Sequence, residues 1–199
     1  MVLANLGKLI GSLFGGQKEA KVMTYSQMYL EAEISPGKLG ELRVVCDKIK
    51  SNLGRYEAVA GSFGDMPWWF VAVIHFMEGG GKFSTHLHNG DPLTARTVQV
   101  PKGRPLSGQP PFTWEESAID ALRLMRYDKM TGWGIEDCLN RLEKYNGLGY
   151  KKRNVPSPYL WSYTQFYKAG KFVADGKYDP TVVSKQAGCV SIMKTLGVV

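Results

Sequence analysis

Glu78 closes Trp68-Trp69-Phe70-Val71-Ala72-Val73-Ile74-His75-Phe76-Met77, a stretch apolar nearly all round, and is followed by Gly79, Gly80 and Gly81. As a helix this stretch is buried on most sides and is stopped by the glycines. A carboxyl group at its end is partly desolvated, which disfavours the charged form and raises the pKa. The negative end of the helix dipole acts in the same direction. A carboxylic acid kept protonated near neutral pH is the group required to donate a proton to a glycosidic oxygen.

A second carboxylate follows. Asp91 lies 13 positions after Glu78 in the turn sequence Asn89-Gly90-Asp91-Pro92, and Thr97 lies six positions further on. Folded back over the helix end, this segment would bring a carboxylate and a hydroxyl to face Glu78 across a cleft. An inverting glycosidase uses such a carboxylate to activate water, with the two carboxyl groups roughly 6.5–9.5 Å apart. Read without that context, Asp91 is a plain turn residue and Thr97 a plain strand residue.

His75, His86 and His88 are the three histidines of the chain, and all lie close to Glu78 in sequence. His75 with Glu78, and His86-x-His88 with Asp91, have ligand-like spacings. A zinc hydrolase of that kind draws a further histidine from a distant segment, and none follows position 88. No metal or other cofactor is therefore expected; His86 and His88 are read as lining a glycan cleft or bracing the hairpin, and Asn89 as lining the cleft. Ser84, His86 and Asp91 could be arranged as a triad on paper, but no nucleophile-elbow sequence surrounds Ser84. Cys138 falls on an apolar helix face and reads as core.

A second zone is rich in aromatics: Tyr145-Asn146-Gly147-Leu148-Gly149-Tyr150, then Pro158-Tyr159-Leu160-Trp161-Ser162-Tyr163. Aromatic faces stack on sugar rings, and Asn and Tyr polar groups bond the substituents. Tyr145, Asn146, Tyr150 and Tyr159 are the candidate substrate contacts, and Trp161 reads as core.

The elements that must position these groups are mostly helical. Leu42, Val45, Ile49 and Leu53 predict one helix over about 39 to 56. Lys82 to Pro105 predicts a β-hairpin, with strands at Phe83–His88 and Thr94–Val100. Thr113-Trp114-Glu115-Glu116 is a capping box that opens a helix to about Arg126. Ile135, Cys138, Leu139 and Leu142 mark another, closing at Tyr145-Asn146-Gly147. Ser157 to Tyr167 is read as helical, and Asp179-Pro180 as the start of a last helix through Leu196. The fold class expected is α+β and predominantly helical.

The 199 residues suit a single domain over 36–199 with an N-terminal amphipathic segment over 1–35. Three cysteines without a CxxC pair argue against a disulfide framework. The net charge of +7 favours a polyanionic partner, such as a bacterial wall polymer. Beyond Lys151-Lys152-Arg153 there is no basic run, so nucleic acid is not expected. Val2, Leu3, Leu6, Leu9, Ile10, Leu13 and Phe14 recur at helical spacing. They predict a helix that packs on the body or a partner chain, or one that touches a membrane surface through residues 2–14. Lys8 and the lack of a cleavage site make it a poor secretory signal.

Ile74-His75-Phe76-Met77-Glu78 followed by Phe83-Ser84-Thr85-His86-Leu87-His88-Asn89-Gly90-Asp91-Pro92-Leu93-Thr94 resembles a bacterial and phage lysozyme-family group of peptidoglycan hydrolases. Tyr145–Tyr150 and Ser157–Ser162 resemble that group's later motifs, and the likeness spans about residues 40 to 197. It implies a lysozyme-like fold, in which a helix ends in the catalytic Glu and a β-hairpin and a helical lobe follow. Glu78 matches the superfamily's acid, and Asp91 resembles the hairpin carboxylate of goose-type enzymes. The Asp91-to-Thr97 spacing is similar to that of phage-type lysozymes, with a longer Glu-to-Asp gap. The Tyr145-Asn146 pair resembles the Tyr-Asn motif of lytic transglycosylases, although Gly79 stands where those enzymes have Ser after Glu.

The expected activity is cleavage of the β-1,4 bond between N-acetylmuramic acid and N-acetylglucosamine. Glu78 would be the acid, with Asp91, Thr97 and His86 positioning water or stabilising the oxocarbenium ion. Lytic transglycosylation, a chitinase-like activity and a non-catalytic wall-binding or virion component of the same fold stay open. The expected partner is bacterial peptidoglycan, and the chain is expected to be a monomer. It would be held in the host cytoplasm until a holin releases it to the periplasm and wall, or else be carried on a virion.

Overall fold

The computed structural model describes residues 23–198. Among these the chain is α+β and mostly helical. In chain order come α1 (Tyr25–Glu31), α2 (Leu39–Lys50), α3 (Leu53–Ala60), α4 (Trp68–Gly79), α5 (Trp114–Leu124) and α6 (Ile135–Asn146). They are followed by α7 (Gly149–Lys152), α8 (Pro158–Trp161), β1 (Lys171–Ala174), β2 (Lys177–Asp179) and α9 (Cys189–Leu196).

α4 is the axis of the domain. Phe70 through Ile74 are wholly buried, as expected of a helix apolar on every face. α3 and α9 pack against it. Gly80 ends it in the left-handed region at φ 59°, and its N–H is bonded back to the carbonyls of His75 and Phe76. Lys48 of α2 donates to the Gly80 carbonyl at 2.8 Å, placing a cation where the helix dipole is negative.

The helix predicted over 39–56 is two helices. Asn52 Nδ2 donates to the Lys48 carbonyl while Asn52 N–H turns to Ile49 O, so a side chain takes the acceptor that the continuing helix would use. The capping box at Thr113 is present, with reciprocal bonds between Thr113 and Glu116. α6 matches its predicted span and ends at Gly147, φ 93°. Cys46, Cys138 and Cys189 are free and buried, two of them on α6 and α9.

The β-hairpin expected over 83–100 is not formed. Its turn is real: His86 N–H donates to Asp91 O at 2.7 Å and Gly90 N–H to His86 O at 2.9 Å. Of the flanking strands only one isolated bridge remains, Thr85 to Pro92. Pro92, Pro101 and Pro105 have no N–H to lend to a ladder. The hairpin lies instead at β1–β2, with Lys171 opposite Asp179 and Phe172 opposite Tyr178.

Two later helices are shorter than predicted. α8 stops at Trp161 because Gly188 is inserted there: its N–H takes the Ser162 carbonyl at 3.2 Å. A Cβ on Gly188 would fall 2.6 Å from both Leu160 O and Ser162 N, so only glycine fits. Asp179-Pro180 does not start a helix, because Asp179 Oδ1 closes a turn onto Thr181 and α9 begins only at Cys189.

The boundary drawn at 35/36 also moves. α1 packs on α6, the Tyr29 hydroxyl donates to the Val198 carbonyl, and Ile34 bridges Thr164. The chain from Tyr25 onward thus belongs to the body. The amphipathic pattern of residues 2–14 lies outside the described residues.

Candidate active site

Glu78 lines a pocket. The residue is exposed at the end of α4, while protein lies close enough around the carboxyl for burial to raise its pKa above the usual carboxylate value. The opposing influence is one hydrogen bond: the Tyr159 hydroxyl donates to Glu78 Oε1 at 2.9 Å. Tyr159 is itself buried, and its pKa is raised well above that of a free phenol, so it is a donor at any working pH. With Oε1 occupied as an acceptor, the acidic proton of Glu78 belongs on Oε2. Tyr145 and the buried Cys189 thiol lie within electrostatic range of the same carboxyl.

On one side Glu78 and Gly79 face the 85–90 loop across a pocket of about 130 Å³. Among the described residues Glu78 is the only carboxylate in its lining. The loop is fixed by all three histidines. His75 Nε2 is 2.9 Å from the Lys82 carbonyl, which can only accept, so Nε2 carries the proton and Nδ1 accepts from the Tyr56 hydroxyl. His86 repeats the pattern, with Nε2 donating to Ala95 O and Nδ1 accepting from Ser117 Oγ. The His88 side chain is fully buried, with Nε2 at 2.8 Å from Asp120. Burial holds the His75 pKa down at about 4 and lowers that of His88. His86, His88 and Asn89 line this pocket, and the imidazole nitrogens are at the same time spent on bracing the loop.

Asp91 and Thr97 are not in the lining of this pocket. Asp91 Oδ2 accepts from the N–H groups of Val98 and Gln99 and from Asn89 Nδ2 at 2.8–3.1 Å, and these bonds lower its pKa. Thr97 Oγ1 donates to Pro101 O and accepts the Arg104 N–H. Asn89 accepts the Asp91 N–H and donates to Gln99 O. With no strands to hold the 83–105 segment, these side chains organise it from within. Among the described residues, a second carboxylate in this pocket's lining is the part of the expected geometry that is not found.

The aromatic zone lies on the other side. Tyr159, beside Glu78, also lines a depression with Asn146, Tyr150, Lys171 and Gln186. Gln186 Nε2 donates to the Met77 carbonyl at 2.9 Å, tying the segment before α9 to the end of α4. Asn146 is exposed and Tyr145 half-buried. Tyr150 is buried, and its hydroxyl accepts the Phe172 N–H. Four of the aromatic-zone residues named from sequence therefore gather around or beyond Glu78.

Sequence reasoning missed Lys171, Phe172 and Gln186. Asp175-Gly176 was the available signal for the first two: a turn dipeptide between Lys171-Phe172-Val173-Ala174 and Lys177-Tyr178-Asp179. Gly176 adopts φ 67° there. Gln186 carries no sequence signal, because only the tertiary fold brings it to Met77. No protein-family model, curated protein or solved structure matches the chain.

Proposed function

We propose that this protein is a peptidoglycan-cleaving glycosidase, an endolysin-like muramidase with a lysozyme-like arrangement and Glu78 as its general acid. The observation that carries the reading is Glu78 itself. It is a carboxyl with a raised pKa at the end of a buried helix, lining a pocket and bonded by Tyr159, which lines a neighbouring depression with Tyr150. The likeness of residues 74–94 to lysozyme-family sequences supports the substrate class.

In this mechanism Oε2 of Glu78 protonates the glycosidic oxygen, and the C1–O bond breaks toward an oxocarbenium-like state. Tyr159 keeps Oε1 engaged, so the proton is presented from one defined oxygen. Tyr145, Asn146 and Tyr150 hold the glycan. His75, His86, His88, Asn89, Asp91 and Thr97 act by holding the loop opposite Glu78 in shape. As the leaving group departs Glu78 becomes a carboxylate, and it can then take a proton from the incoming nucleophile. The chain acts on bacterial wall after release from the host cytoplasm, or from a virion.

A second reading of the nucleophile is favoured by one observation: among the described residues Glu78 is the sole carboxylate in its pocket lining. A single acid/base suits attack by the C6 hydroxyl of the same muramyl residue, whose proton returns to Glu78, giving a 1,6-anhydro end. Attack by water gives a reducing end. Mass spectrometry of digested muropeptides distinguishes them: either end formed between N-acetylmuramic acid and N-acetylglucosamine supports the glycosidase. Cut peptides with intact glycan, or no soluble product, would overturn it.

A further inference from the structure

Beside Glu78, at the Tyr159 that bonds it, a second depression opens. Lys171 lines the depression beside Tyr159, then continues with Asn146 and Tyr150 into a groove of about 470 Å³ along the β1–β2 hairpin. This wall is firmly built. The Tyr150 hydroxyl accepts the Phe172 N–H at 3.1 Å, and the Tyr150, Phe172 and Tyr178 rings pack edge to face with centroids 5.0–6.3 Å apart. A Cβ on Gly149 would come within 2.9 Å of the Phe172 ring, and one on Gly170 within 2.0 Å of the Tyr178 hydroxyl. Two missing side chains thus let the hairpin close against α7 and hold Lys171 at a fixed place.

Lys171 is half-buried, and among the described residues it takes part in no ion pair. Asp175 lines only the outer groove, at the exposed hairpin tip, whereas Lys171 lines both parts. An ammonium with no ion-pair partner among the described residues, in the same depression as the Tyr159 that bonds Glu78, is suited to an anionic substituent on the polymer. We propose that Lys171 is a specificity-determining residue that binds a carboxylate on the 3-O-lactyl arm of the muramyl residue. That carboxylate is either the lactyl acid or a free carboxyl of the attached stem peptide. The assignment rests on the glycosidase reading of the cleft and adds the feature that separates muramyl glycan from neutral chitin.

The test measures binding of three labelled soluble glycans to the full chain carrying Glu78→Gln: peptide-bearing strands, the same strands stripped by an amidase, and N-acetylglucosamine hexamer. Adding Lys171→Ala should raise Kd for the carboxylate-bearing strands by at least about fivefold at low salt, as expected for loss of one charge-assisted contact. The loss should shrink in about 0.5 M salt, Lys171→Arg should restore binding to within about twofold, and the hexamer should be unaffected. Loss on peptide-bearing strands alone identifies a stem carboxyl; loss on the stripped strands alone identifies the lactyl acid, which is free only once the amidase has cut; loss on both shows that Lys171 takes whichever carboxylate the arm presents. An unchanged Kd, an equal loss on the hexamer, or no binding of either strand overturns the proposal. Cleavage by the unmutated chain is scored separately: Lys171-dependent binding without cleavage leaves the charge site standing and removes the glycosidase reading.

Discussion

The Tyr159 hydroxyl meets Glu78 Oε1 at 2.9 Å from a wholly different part of the chain, 81 residues away. α8 brings the phenol and α4 the carboxyl, and Gly188 is what allows α8 to lie where it does. Tyr159 donates to the carboxylate form and so holds the Glu78 pKa down against the burial that raises it. Removing the hydroxyl therefore raises that pKa further. Since the acid must be protonated to act, the alkaline limb of the activity profile should move to higher pH in Tyr159→Phe. Its maximal rate should fall about tenfold, because the proton is no longer confined to Oε2. A pH–rate profile of the two proteins checks both shifts.

His75 makes a statement about stability. Its pKa is about 4 in the folded chain against an ordinary 6.5, and it is almost fully buried. Between those values the unfolded chain binds a proton that the folded chain refuses. Stability is therefore complete above about pH 6.5 and declines as pH falls toward 4. The difference corresponds to about 3 kcal/mol. Urea unfolding across pH 4–7 should show that slope, and His75→Gln should flatten it whatever its overall stability.

Asp91 separates a structural role from a catalytic one. Its Oδ2 collects Val98 N–H, Gln99 N–H and Asn89 Nδ2, and its pKa is lowered by them. Asp91→Asn keeps an acceptor and loses the charge. It should speed amide exchange at Val98 and Gln99 while leaving the rate constant for cleavage within about tenfold. A catalytic base would cost roughly 10²–10⁴-fold with the loop unchanged. Hydrogen exchange and kinetics on one sample read both quantities.

The legible part of this molecule was the part written in local sequence. The all-apolar run ending in Glu78 and three glycines specifies a buried helix and its stop. The box at Thr113–Glu116 specifies a helix start, and both are found where the residues put them. The 83–100 segment misled because Thr97, Val98 and Val100 have strand character while the prolines around them deny a ladder. Its order comes from Asp91 and Thr97 bonding to backbone, which alternation does not encode. α8 is cut short by Gly188 and helix 39–56 by Asn52, through contacts that a helical period cannot show. Tyr159 was legible as a cleft aromatic but not as Glu78's partner, because that pairing exists only after α8 and α4 have packed.

The most direct measurement is release of soluble muropeptides from purified peptidoglycan by the protein and by Glu78→Gln, each first shown to be folded by circular dichroism. Gln keeps the volume and can still accept from Tyr159, but has no proton to give. Loss of the general acid should lower the rate at least about 10³-fold, within the range such groups contribute. Release by Glu78→Gln at an undiminished rate would contradict the central claim.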